Sequence, residues 1–372
     1  MTSALDVQRE RAESLAREIL ARAAPGSIAC IFAGGSLGRG EVWAAEFDGV
    51  LEVYSDIDLY VVAAQEEAVG ALRRLAQSLP AVPAPAGVRF LRAADIGVYT
   101  RDDLTAQPLR PGTAELETHH LMLHGNQAIT RALRGRAAGK IPAQEALYLL
   151  ENRAMELSAP APTEAGPQVR LSLAQSLKAR LDVYSAHAIV EHSFAARMPD
   201  RAAHFAHKTP GTLSGAARDD VAAAFAALPV LEAWMREHDA EEERRRTLAA
   251  LADAWRVLAP RVLDVDAPPA ELVARRCHAG EFVTNAREIF RIRRATGVSP
   301  WRAVRGTMRF ARLAPIAALR VDPLARVLAG EPGSSHEMDA HFAYVDRLTQ
   351  HFAFTGGGTR EERVRRMYRA LS

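Results

Sequence analysis

FAGGSLGRGE, residues 32–41, and SDIDLYVV, residues 55–62, are the two stretches on which the reading of this chain turns. The first closes the short apolar run SIACIFAG, residues 27–34, whose glycine end marks a buried strand. Glycine–serine turns after a strand suit anions, because several backbone N–H groups can point into one concavity. The second stretch is entered through the turn pair Asp48-Gly49. In an extended segment side chains alternate, so Asp56 and Asp58 share one face while Ile57 and Leu59 point into the core. Two carboxylates about 7 Å apart on one strand face offer hard oxygen ligands to a divalent cation. Without a cation they repel by about 2 kcal/mol at an effective dielectric of ~20.

Two glycine-loop alternatives fail. A Walker A loop needs Lys-Ser/Thr where this chain has Arg39-Gly40-Glu41. A dinucleotide fingerprint needs a different glycine spacing from Gly35, Gly38 and Gly40, and its acid belongs at the carboxyl end of the second strand. Asp56 and Asp58 precede the apolar run instead.

Outward from these stretches, residues 4–20 carry Leu5, Leu15, Ile19 and Leu20 near one helical face. Residues 66–79 also read as a helix, and VRFLRAADIGVYT, residues 88–100, as an alternating strand before the helix start RDDL. HHLMLHG, residues 119–125, is a brief apolar segment. From Pro142 onward strand signals stop, and helical periods run over 143–158, 171–194, 217–259 and the region after 268. The expected architecture is α+β: an N-terminal domain with a small mixed sheet flanked by helices, residues 1–138, then an all-α domain, residues 139–372, with breaks near 208–216 or 260–268.

The 372 residues suit two domains, and a net charge of +2 calls for neither nucleic acid nor membrane. The two cysteines, Cys30 and Cys277, form no disulfide framework, which fits a reducing cytoplasm. The N-terminus lacks the apolar core of a signal peptide, and no run is long enough to span a membrane. Basic residues are nearly all arginine; the lysines are Lys140, Lys178 and Lys208.

GGSLGRGE followed by SDIDLYVV resembles the signature of the polymerase β-like nucleotidyltransferase superfamily, in which a strand ending in Gly-Ser precedes an Asp-x-Asp on the next strand. The resemblance covers the N-terminal third of the chain. Minimal and aminoglycoside nucleotidyltransferases are the similar members, since a helical domain follows. The segment EVWAAEFDGVLEVY, residues 41–54, lengthens the spacing and reads as an extra hairpin. The resemblance implies that Asp56 and Asp58 bind Mg²⁺ or Mn²⁺, as two ions, and that Gly34, Gly35 and Ser36 hold a nucleoside triphosphate. Asp95 matches the third carboxylate, as metal ligand or base. Asp102 and Asp103 match less well, since Asp before a helix start is commonly a cap.

Lys178 matches a phosphate-contacting lysine, with an i,i+4 pair to Asp182 as the other reading. Arg39 reads equally as a phosphate arm or an ion-pair partner. The implied activity is Mg²⁺-dependent transfer of a nucleotidyl group from a triphosphate to a hydroxyl on a small molecule. Transfer of AMP to a protein, addition of nucleotides to RNA, or a nucleotide-binding regulator without turnover are the alternatives. His120 and His124 lack a third ligand in the motif and read as structural. Arg302, Arg305, Arg309 and Arg312 form a stripe at helical spacing, whose candidate partners are RNA, a phosphorylated substrate or the acidic run EHDAEEE, with a solvated or internally paired face as the default reading.

Overall fold

The computed structural model describes residues 3–131, 133, 140–278, 288–289, 314–330, 336–352 and 359–369. The arginine stripe at 302–312 lies outside the described residues. The chain opens with α1 (Ala4–Arg22), capped by the Ser3 hydroxyl accepting from the Asp6 N–H. There follow β1 (Ile28–Ala33), α2 (Gly35–Arg39), β2 (Ala44–Phe47), β3 (Val50–Val53), β4 (Ile57–Ala63) and α3 (Val69–Gln77). Next come β5 (Val88–Phe90), β6 (Ala94–Tyr99), α4 (Arg101–Thr105), α5 (Pro111–Ala114), β7 (Leu121–Gly125) and α6 (Ala128–Arg131). The fold is mixed α+β with a largely helical C-terminal region.

One small mixed sheet was expected; the described residues form two. Their strand orders are β6-β4-β1-β7 and β2-β3-β5. The reason lies in two breaks. The run 50–63 stops pairing between Val53 and Ile57, and the run 88–99 stops between Phe90 and Ala94. The two runs lie side by side and parallel, as β3 with β5 and β4 with β6, so they break together. At the break the Ser55 hydroxyl accepts from the Trp43 N–H at 2.8 Å, and its carbonyl accepts from Gln8 Nε2 at 2.7 Å. Backbone groups engaged this way cannot continue a ladder.

The expected extra hairpin is present as β2–β3. Asp48 at φ 54° and Gly49 at φ 76° have the left-handed conformations a two-residue I′ turn demands. Phe47 on the hairpin, and Tyr54 just after it, are buried among Leu173, Leu177, Leu231 and Trp234, so this insertion joins the sheet half to the helices.

The four-stranded sheet has two covered faces. Ile31, Leu59 and Val61 pack with Leu15 and Ile19 of α1. Cys30, Phe32 and Val62 pack with Leu104 and Leu116. Thr100, rather than an aspartate, caps α4, with Asp103 returning the bond as a capping box. The His120 ring sits 2.9 Å from the Leu116 carbonyl and edge-on to Phe32, a structural placement.

Past Pro142 the described residues form helices only: α7 (Gln144–Glu156), α8 (Pro167–Val190), α9 (Met198–His207), α10 (Gly215–Ala227), α11 (Leu231–Glu237), α12 (Ala240–Leu263) and α13 (Pro269–His278). The last three are α14 (Pro315–Ala329), α15 (His336–His351) and α16 (Arg360–Arg369). The sequence reading places no helix over 198–207; α9 forms there with Pro199 in its first turn, where the missing N–H costs nothing. Leu147, Leu150, Val183, Leu251, Trp255 and Leu258 build a core shared by α7, α8 and α12. Among the described residues no helix is long and apolar enough to cross a membrane.

Candidate functional site

The turn after β1 is placed by the sheet itself. β1 pairs antiparallel with β4, and the Gly34 N–H donates to the Asp58 carbonyl at 2.9 Å. The residues that follow therefore lie against Asp58. Gly35 has φ 56°, and a Cβ there would stand 1.9 Å from Asp58 Oδ2. Both the backbone conformation and the close approach require glycine. Gly35→Ala should cost about 1–2 kcal/mol for the left-handed backbone and displace the carboxylate. A lower Tm would check this.

Asp58 lies on β4 directly opposite Asp95 on β6, as Cα partners in a parallel pair. In such a register the two side chains stand on the same sheet face, with strands about 4.8 Å apart. Asp56 sits just before β4, in the break between the sheets. All three carboxylates face one cavity of about 710 Å³, together with Gly35, Ser36, Arg39 and Lys178. Gly34 is buried immediately behind it. The Ser36 hydroxyl is buried and has no hydrogen-bond partner among the described residues.

The charges are unevenly satisfied. Burial, then the neighbouring charges of Asp56 and Asp95, push the Asp58 carboxyl up to about 6, against the pull of Lys178 and Arg39. Burial also acts to raise Asp56, but Lys178 and Arg92 outweigh it and hold that carboxyl below the ordinary range. Arg92 NH2 lies 3.2 Å from Asp56 Oδ2. Among the described residues no three His, Cys, Asp or Glu side chains are gathered into a ready metal cage.

Lys178 reaches the cavity from α8. Asp182, one turn on, is engaged by Arg153 at 2.7 Å and by Arg201 at 3.8 Å rather than by Lys178. Among the described residues no carboxylate lies within 4.0 Å of the Lys178 ammonium. The nearby Arg153 guanidinium, then burial, lower its pKa. Arg39 lines the cavity with its guanidinium held by Glu41 at 2.8 Å and by Glu115, which is the ion-pair reading of that residue.

No protein-family model matches the chain, and no curated protein matches it. The chemistry is therefore read from these residues alone.

Several cavity residues carry no signal in the sequence. Glu115 is nearly inaccessible and joins Arg39 to Arg201 of α9, at 3.3 Å for the latter. Arg153 and Glu156 arrive from α7. A second cavity of about 720 Å³ shares Asp56, Arg92 and Asp95 with the first and extends past Leu157, Pro160 and Ser172. Two spaces thus meet along Asp56, Arg92 and Asp95, each of the size that takes a small molecule.

Proposed function

We propose that this chain is a nucleotidyltransferase of the polymerase β-like kind, transferring a nucleotidyl group from a triphosphate to a small-molecule hydroxyl. The observation that carries the reading is the convergence of Asp56, Asp58 and Asp95 on one cavity with the Gly35-Ser36 turn and Lys178. The donor set is oxygen only, which suits Mg²⁺ or Mn²⁺ over softer metals. Its fit rests on two features: Asp58 is held among like charges, and the Ser36 hydroxyl is buried with no partner among the described residues.

Asp56 and Asp58 would hold one ion, and Asp95 would join them for the second. Bound there, the metal offsets phosphate charge and lowers the pKa of the acceptor hydroxyl. Ser36 and the adjoining turn hold the phosphates, and Lys178 meets the charge that develops on pyrophosphate. Asp95 accepts the hydroxyl proton as the acceptor oxygen bonds to the α-phosphorus and the bond to pyrophosphate breaks. Most of the rate enhancement is then positioning and electrostatics. The second cavity, which shares Asp56 and Asp95 with the first, has the volume for a small molecule and favours such an acceptor over RNA or protein.

The test is thermal unfolding with Mg²⁺ and each of ATP, GTP, CTP and UTP. One nucleotide at 100 times its Kd should stabilise the protein by about 2.7 kcal/mol. The shift should need Mg²⁺ and vanish in the Asp56→Asn/Asp58→Asn double variant. No shift with any of the four overturns the reading.

A further inference from the structure

The pair between Arg92 and Asp56 has no place in the transfer chemistry, yet it occupies one of the oxygens the chemistry needs. We infer that Arg92 is a built-in competitor of the metal: its guanidinium and a divalent cation contend for the same Asp56 oxygen, so Arg92 sets the metal affinity of the site. This rests on the metal-dependent reading above.

The geometry has three parts. Arg92 lies in the break between β5 and β6, beside the break between β3 and β4 that holds Asp56, so the fold itself brings the two together. Its backbone is pinned: the Arg92 carbonyl accepts from Arg11 NH2 at 3.1 Å, and the preceding Leu91 N–H donates to the Val53 carbonyl at 3.0 Å. What can move is the side chain, which is about a quarter exposed, with 27% of its surface accessible, and borders both cavities. A second carboxylate is in reach of the same space. Glu156 of α7 lines both cavities with Arg92, and Arg153 engages only its Oε2, at 2.7 Å. A guanidinium leaving Asp56 therefore still has a carboxylate, Glu156, in the lining it borders.

A purely structural role predicts the opposite sign. If Arg92 merely anchored Asp56, removing it would loosen the seat and weaken metal binding. A competitor, once removed, leaves tighter binding, because it takes away both the ion pair and a like charge beside the dication.

The experiment is a Mn²⁺ titration of the full chain without nucleotide, reading free Mn²⁺ by electron paramagnetic resonance. Arg92→Gln should tighten Mn²⁺ binding on the order of fivefold, the size of a partly exposed ion pair. Arg92→Lys, which keeps the charge, should stay within about twofold of wild type. Binding by Arg92→Gln that equals or falls below wild type, while Asp56→Asn abolishes it, overturns this inference and leaves the metal reading standing. Failure of both wild type and Arg92→Gln to take up Mn²⁺ overturns the two together.

Discussion

On the proposed function, Asp58→Asn is expected to slow nucleotidyl transfer severely and, in EDTA, to make the protein more stable. The loss in kcat should be on the order of 10³-fold, the scale for removing one preorganised electrostatic group from a transition state. The gain in stability follows from the charges around Asp58. Burial, Asp56 and Asp95 push its carboxyl up to about 6, and Lys178 and Arg39 only partly oppose them. An unfolded aspartate titrates near 4. A raised folded pKa contributes stability that is fully present below about pH 4 and lost as pH rises through about 6. Asparagine never ionises, so it escapes that loss.

The advantage of the variant should therefore be absent below about pH 4, open between pH 4 and 6, and reach about 2 kcal/mol above pH 7. Urea unfolding in EDTA at pH 4, 6 and 8 reads the trend directly. Mg²⁺ should reverse the ranking by binding wild type alone. A variant less stable than wild type at pH 8 in EDTA would show that the cluster is not held against repulsion.

The second large effect concerns stability away from the cavity. Glu151 of α7 is 0% exposed and lies 2.8 Å from Arg276 of α13 and 2.7 Å from Arg320 of α14. The Trp255 indole of α12 donates to it at 3.3 Å. Burial opposes its ionisation, but the two arginines outweigh burial and hold the carboxyl below its ordinary range. One carboxylate thus ties four helices together. Glu151→Gln keeps the shape and removes the buried charge that Arg276 and Arg320 share. Removing one partner of such a set costs about 3–5 kcal/mol. For a chain of this size that is a fall in Tm of roughly 5 °C. Since the Glu151 pKa is depressed, its contribution is present above about pH 4 and fades as the pH falls further. Wild type and variant should therefore converge in acid.

These two residues mark how far the sequence could be read. Asp58 was legible because it sits in a local pattern: strict alternation with Ile57 and Leu59 assigns its face, and a glycine–serine turn lies upstream. Asp95 was legible for the same reason, as a carboxylate in an alternating run, and β6 places it directly opposite Asp58. The inserted hairpin was legible from Asp48-Gly49, since that dipeptide alone accepts two left-handed residues. Glu151 and Glu115 were not. Each is a single acid in an ordinary stretch, and its partners lie up to 169 residues away, as Arg320 does from Glu151.

Other outcomes depended on competition between local and distant bonds. Residues 50–63 look like one continuous strand region, and only the distant Gln8 and the nearby Trp43 claiming Ser55 divide it. Lys178 and Asp182 have the spacing of an i,i+4 pair, yet the guanidinium groups of Arg153 and Arg201 converge on Asp182 from two other helices. Fork-shaped donors at short range displace a flexible ammonium from a buried carboxylate. Arg39 reads from the sequence as a phosphate arm or an ion-pair partner, and its ion pair with Glu115 comes from the distant segment after α5.

By itself, then, the sequence determined what depends on neighbours a few residues apart: most of the elements and their faces, the carboxylate pattern, the glycine turn and the helical second half. The tertiary structure alone decided which charges meet, because ion pairs between distant elements leave no period in the chain. It split the sheet, set Arg92 on Asp56, and brought Asp56, Arg92 and Asp95 into the lining of two cavities. Backbone geometry is periodic and therefore readable; the pairing of side chains across a fold follows from which elements come to lie together.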